Sequence, residues 1–336
     1  MFGNGEQPGQ VAILRALQLG DLLCAVPALR SLRRAWPAAH IALIGLPWAR
    51  DFVERFSLYL DEFIEFPGYP GLPERPVDVA AVPGFLGELQ RRRLDLAVQL
   101  QGDGTITNGL TLLFGARRVA GFCLAGQPPL AAGDFVVYPS ARHEIWRLLA
   151  LVQRLGVPVA GDQIEFPIRR DEEGQWGRLK AETGLRAGEY VCLHPGARAE
   201  TRRWPIEHFA CVGLALASRG LRVVVTGDGP EEARLAAHLV QAMDGRATSL
   251  ASRTPLGVLA ALVRDARLVV CNDTGVSHVA AAVRTRSVVI FRVTDPKRWA
   301  PIDRSLHGVV RDGPGAAERA LSQTEDLLAR EGAGAA

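Results

Sequence analysis

The sequence predicts an α/β protein of two units, each a parallel sheet with crossover helices. Three observations carry this: short apolar runs alternate with helix-like segments, the alternation restarts at Tyr190, and a Gly-, Pro- and charge-rich stretch at 156–188 lies between the two series. In the first series strands are expected at 11–17, 40–46, 63–66, 95–100 and 118–122. A helix at 22–36 places Leu22, Val26, Leu29 and Leu32 at helical spacing, with Arg30, Arg33 and Arg34 toward its end, where cations suit the dipole. The Pro/Gly-rich stretch 68–83 reads as a surface loop. In the second series strands are expected at 190–194, 221–226, 268–271 and 287–291, with helices at 206–219 and 230–243. A final helix spans 315–330. The expected organisation is a disordered N-terminus at 1–10, a domain at 11–165, a linker region at 166–188, a second domain at 189–314, and a helix with a disordered tail at 315–336.

Bulk properties narrow the function. The 336 residues are 48% apolar, enough for two cores, and contain no apolar run of about 18 residues of the kind a membrane-spanning helix needs. The first ten residues, MFGNGEQPGQ, lack the layout of a signal peptide, which argues for a cytoplasmic protein. Five cysteines without CxxC spacing speak against a zinc site or a disulfide framework. The net charge is +3 and the charges interleave, so there is no broad nucleic-acid footprint, while small acidic ligands stay open. Lys180 and Lys297 are the only lysines, so a single Arg says little about selection for a guanidinium.

Ligands of such sheets bind beyond the carboxyl ends of the strands. The most informative of these junctions is CNDTGVSHVAAA at 271–282, where Asp273 and Thr274 suit a helix cap, Gly275 permits close backbone approach, and the first helical amides can hold an anion. Asp21 follows the first strand at a helix N-terminus and suits either an N-cap or a general base. The loop HPGARAETRRWP at 194–205 carries Arg198, Arg202 and Arg203, either a solvated cluster or a site for a diphosphate leaving group. Gly227-Asp228-Gly229-Pro230-Glu231-Glu232 is a common nucleotide-fold turn whose carboxylates could accept bonds from ribose hydroxyls or simply suit the helix start. Gln101-Gly102-Asp103-Gly104-Thr105 is an acceptor-side candidate or a plain turn. His278 can pack on the cap or touch a ligand. No His/Asp/Glu spacing resembles a metal site.

Taken in order, LGDLLCAVPALRSLRRAWP at 19–37, LQGDG at 100–104, GARRVAGF at 115–122, HPGARAETRRWP at 194–205 and NDTGVSHVAAA at 272–282 resemble glycosyltransferase family 9, the ADP-heptose:lipopolysaccharide heptosyltransferases, across most of 11–296. The resemblance implies a GT-B architecture with two Rossmann-like domains facing across a cleft, and an inverting transfer that needs no metal or cofactor. It implies an ADP-heptose-like donor held by the C-terminal domain and a glycan or glycolipid acceptor, as in lipopolysaccharide core assembly. No nucleic acid is involved, and the expected place is the cytoplasm, with peripheral contact at the inner membrane. By this resemblance Asp21 is the base. Arg202, Glu231, Asp273, Thr274, Gly275 and His278 face the donor, and Gly20, Gln101 and Gly102 the acceptor. Three positions depart from the family pattern: Arg202 replaces the usual Lys, Thr105 stands where a Lys is common, and Arg292 replaces the Gly of Gly-Pro-Thr-Asp-Pro. An Arg292 beside the donor would add a phosphate contact or obstruct the sugar. A same-fold binder without transferase activity is the alternative, whereas a dinucleotide oxidoreductase is disfavoured because LQLGDLL, not GxGxxG, follows the first strand.

Overall fold

The computed structural model describes residues 7–127 and 133–330. It divides into two compact units, Met1–Gln163 and Ile164–Ala336. The first unit runs β1 (Gln10–Leu14), α1 (Leu19–Ala35), β2 (His40–Gly45), α2 (Ala49–Arg55), β3 (Glu62–Glu65), α3 (Ala81–Arg91), β4 (Leu96–Gln99), α4 (Thr107–Leu112), β5 (Arg118–Cys123), β6 (Asp134–Val137) and α5 (Glu144–Arg154). The second runs α6 (Arg170–Thr183), β7 (Tyr190–His194), α7 (Ile206–Ala217), β8 (Arg222–Val225), α8 (Gly229–Ala242), β9 (Ala247–Ser249), α9 (Leu256–Asp265), β10 (Leu268–Asn272), α10 (Gly275–Ala282), β11 (Ser287–Phe291), α11 (Pro296–Trp299), β12 (His307–Arg311) and α12 (Ala316–Ala329).

Both sheets are wholly parallel and share one topology. The orders are β3-β2-β1-β4-β5-β6 and β12-β11-β10-β7-β8-β9, so the first strand of each unit lies between its second and its fourth. Helices cover both faces of such sheets, which is why β1, β4, β10 and β11 read as apolar runs without alternation and are buried almost throughout. On one face of the first sheet Phe66, Phe85 and Phe114 meet edge to face, with centroids 6.3 and 5.8 Å apart. On the other, α5 packs along α1. The second unit has its own core around Trp204, Phe209, Leu239 and Met243.

Several boundaries differ from the sequence expectation. α1 begins at Leu19 with Gln18 as its N-cap, so Asp21 is the third helical residue and not a cap. The loop expected at 68–83 gives way to α3 at Ala81, because proline is tolerated in a first turn and Pro83 sits there. The stretch expected to link the domains, 166–188, contains α6, which packs on α9 within the second unit. Its buried anchor is Trp176, whose indole N–H donates to Asp265 at 2.9 Å. The N-terminus expected to be disordered yields to β1 at Gln10, while 1–6 and the tail at 331–336 lie outside the described residues. No helix among the described residues is long and apolar enough to cross a membrane.

Candidate active site

In a doubly wound sheet the chain leaves the first and fourth strands in opposite directions, which opens a crevice at their carboxyl ends. Each unit has such a switch point, β1/β4 in the first and β7/β10 in the second. Most of the residues singled out in the sequence gather at these two places.

At the first, the chain after β1 enters α1 through Gly20 and Asp21, whose side chain is 24% exposed. Beneath it lies Arg15, 1% exposed. Its Nε donates to the Asp21 backbone carbonyl at 2.9 Å, its Nη1 donates to the Leu100 carbonyl beyond β4, and its Nη2 donates to Glu144 Oε1 at 3.2 Å while lying 4.0 Å from Asp21 Oδ1. A second tie joins the same loops, since the Ala16 amide donates to Gln101 Oε1 at 2.8 Å. Gln101 is 2% exposed, and its Nε2 has no hydrogen-bond partner among the described residues. A buried donor left in this state is costly unless a ligand or water meets it. Gly102 follows with φ of +70° and open space where a side chain would start. Thr105 donates its amide to Asp103 Oδ1 in the turn that closes this loop.

At the second, β10 ends in Asn272, which is fully buried and stitches the 194–205 loop in place. Its Nδ2 donates to the Pro195 carbonyl at 2.8 Å, and its Oδ1 accepts the Trp204 amide at 2.9 Å. Asp273 is 3% exposed, accepts the Thr294 hydroxyl at 2.6 Å, and has Arg202 Nη1 3.9 Å from its Oδ2. Thr274 is the N-cap of α10 in extended conformation and makes no side-chain cap bond to the amides of the first turn. Arg202 is 42% exposed. The arrangement is one cation and one helix N-terminus beside a buried carboxylate, a combination suited to holding a diphosphate and a hydroxyl-rich group side by side.

The remaining candidates resolve differently. Glu231 is surface-exposed and paired with Arg203 at 2.6 Å, a contact that lowers its pKa. Its neighbour Glu232 is the carboxylate tucked under the 194–197 turn: it accepts the Asp228 amide at 2.8 Å and lies 3.7 Å from His194 Nε2. A Cβ on Gly196 would fall 2.3 Å from the Glu232 carboxyl carbon. Burial pushes the His194 pKa down, against the pull of Glu232 and Asp228. His278 is buried and its ring meets Trp299 edge-on at 6.4 Å. Arg292 donates from Nε to Asp312 at 2.7 Å and from Nη1 to the Arg203 carbonyl at 2.7 Å, and Asp312 also accepts the Trp204 indole at 3.0 Å. Its guanidinium therefore braces the 194–205 loop. Among the described residues no group of three or more His, Cys, Asp or Glu is arranged to hold a metal.

The sequence profile of glycosyltransferase family 9 (heptosyltransferase) matches residues 88–327. The chain belongs to glycosyltransferase family 9. This member is 34% identical over 302 residues to lipopolysaccharide heptosyltransferase 3 of Escherichia coli, covering 85% of this chain and 84% of that protein. Its fold is that of a family 9 glycosyltransferase from Veillonella parvula, with a TM-score of 0.80 at 20% identity over 96% of this chain and 97% of that one. It also matches the E. coli ADP-heptose lipopolysaccharide heptosyltransferase II, with a TM-score of 0.74 at 21% identity over 96% and 99%. The architecture is GT-B, and the protein is a glycosyltransferase, as the ordered motifs implied.

Within this family 9 enzyme the structure gathers Gly20, Asp21, Gln101 and Gly102 at the first switch point, and Arg202, Asp273, Thr274 and Gly275 at the second. Glu231 and His278 are turned to other partners. Sequence reasoning passed over Arg15, Glu144 and Thr294, and offered Glu232 only together with Glu231. Arg15 had a signal, a charge directly after the apolar run Val11–Leu14, where a buried strand end is expected. Glu144 had none, since it reaches Arg15 across 129 positions.

Proposed function

We propose that this protein is an inverting heptosyltransferase that moves a heptose from an ADP-linked donor to a hydroxyl of a glycan or glycolipid of the lipopolysaccharide core type, at the cytoplasmic face of the inner membrane. The observation that carries the reading is the placement of Asp21, a partly exposed carboxylate held by its own backbone at the β1/β4 switch point. Its carboxylate takes the proton of the acceptor hydroxyl as that oxygen attacks the anomeric carbon from the side opposite the leaving ADP, which inverts the configuration. Gln101 Nε2, buried and without a hydrogen-bond partner among the described residues, suits a bond to the acceptor beside the reacting hydroxyl. In the second unit Arg202 and the first turn of α10 meet the diphosphate, and Asp273 and Thr294 face the donor sugar. A guanidinium and a helix dipole supply the positive charge that a departing diphosphate needs, so the scheme requires no metal ion. Glu232, or Glu231 one position away, is the carboxylate for the nucleotide ribose.

Asp21→Asn is expected to lower kcat by about 1,000-fold, in the range for loss of a general base, while calorimetry finds ADP affinity changed by less than about twofold. Transfer at a near wild-type rate would remove Asp21 from the role. Thermal stabilisation by ADP-heptose but not by UDP- or GDP-sugars is expected in a donor screen, and the reverse order would overturn the donor assignment. Activity that survives chelation with EDTA is the expected outcome for the metal-free scheme.

A further inference from the structure

Under the Asp21 loop lies a chain of charged side chains that the transfer scheme does not use. Arg15, Glu144 and Arg147 are 1%, 4% and 1% exposed. Glu144 bridges the two cations, with Oε1 accepting from Arg15 at 3.2 Å and Oε2 accepting from Arg147 at 2.5 Å. Arg147 is anchored in turn by the Tyr138 hydroxyl at 2.7 Å and by the carbonyls of Pro139, Ser140 and Arg142, and its guanidinium lies 4.3 Å over the Tyr138 ring. Apolar residues of similar volume fill such a space at lower cost in desolvation. What they cannot supply is a planar fork of donors with fixed directions. The outer end of the chain is Arg15, which spends one donor on the Asp21 carbonyl and another on the Leu100 carbonyl. One guanidinium thereby sets the spacing between the loop that carries Asp21 and the loop that carries Gln101.

We propose that Arg15, held rigid by Glu144 and Arg147, is a positioning residue for catalysis that fixes where the Asp21 carboxylate stands relative to the acceptor. It grips the Asp21 backbone and lies at the edge of ion-pair distance from the carboxylate, so the carboxylate keeps its exposed face for the incoming hydroxyl. Glu144 takes up part of the Arg15 charge and, through α5, ties the base to a helix that packs on α1. This role rests on Asp21 being the base. A displacement of about 1 Å in a reacting group is enough to cost about 100-fold in rate, and that is the effect to look for.

The test is a double-mutant cycle in the full-length enzyme. Arg15→Met is expected to lower kcat by about 100-fold, with KM for donor and acceptor changed by less than about threefold and ADP affinity by calorimetry unaltered. In the Asp21→Asn background the same change is expected to cost less than about threefold more, because a residue that acts through Asp21 has nothing left to position. Arg15→Lys keeps the charge but not the fork and is expected to recover less than about a tenth of the lost rate. Where Arg15→Met yields no folded protein, Glu144→Gln, which keeps size and one carbonyl acceptor, is expected to lower kcat at constant KM by about tenfold. Additive losses in the cycle, a raised acceptor KM, or full rate in Arg15→Lys would each overturn the positioning role while leaving the base intact. A near wild-type rate for Asp21→Asn alone would instead sink the base assignment on which it rests.

Discussion

At Arg292 a single substitution against the family pattern has a structural consequence that its sequence context left open. Its guanidinium is bound to Asp312 and to the Arg203 carbonyl, next to the Trp204 indole on the same carboxylate. The residue therefore braces the loop that carries Arg202. Arg292→Gly, which restores the family pattern, is expected to raise the donor KM by about three- to tenfold, with kcat nearly unchanged and the thermal midpoint lowered by a few degrees, because the two bonds that brace the loop are lost. At Gly104 the backbone itself is the constraint. Its φ is +94°, and a Cβ there would lie 2.0 Å from the Phe122 carbonyl oxygen and 2.3 Å from Asn108 Nδ2. Gly104→Ala is expected to destabilise the fold by at least about 2–3 kcal/mol, read from denaturant unfolding, since both the backbone strain and the contact with fixed atoms oppose it.

Among the elements, the pair β11 and β12 couples stability to pH. Ser287 and His307 are register partners, and the His307 Nδ1 lies 2.8 Å from the Ser287 hydroxyl. Burial pushes the His307 pKa down from 6.5 to about 4. The folded protein therefore holds this ring neutral where the unfolded chain would protonate it, so the contribution is complete above pH 6.5 and is lost as the pH falls from 6.5 toward 4. The full loss is about 3 kcal/mol. Unfolding free energies across that window should slope upward with pH, and His307→Gln should flatten the slope. Among the strands that the sequence made legible, β1, β7, β10 and β11 lie inside their sheets, where Val, Leu and Ile follow one another, whereas β3 at a sheet edge showed only through Phe63 and Ile64. β6, β9 and β12 lie toward the sheet edges, are short and half-exposed, and carry Asp134, Thr248 and Arg311 among their few apolar residues, so their pattern is that of a loop. α6 was hidden for a different reason. Only Glu172, Trp176 and Leu179 are buried in its RDEEGQWGRLKAET, too sparse a stripe to stand out from a charged connection. The turn residues of the candidate site were legible because glycines and caps mark strand-to-helix junctions, whereas the Arg15–Glu144 contact depends on which strands become neighbours.

As a whole, the molecule repeats one topology twice, and each copy has a separate core and a separate switch point. A nucleotide bound at the second switch point should leave its mark there. Hydrogen exchange with and without ADP is expected to show slowed amides at 196–203 and in the first turn of α10, with the core amides of β1 and β4 unaffected; protection confined to the first unit would reverse the proposed division of donor and acceptor.

The crossing of strand order in each sheet also bears on how the chain acquires its activity in time. The bond from Arg15 to Leu100 joins residues 85 apart, and that from Asn272 to Pro195 spans 77. Neither surface exists until the fourth strand of its unit docks beside the first, and loops of such length close late and slowly. A chain still emerging from the ribosome can thus collapse and bury Leu14 or Val191 well before it can bind anything. Folding intermediates of this protein are expected to be compact and inert, with substrate recognition the last property to arrive.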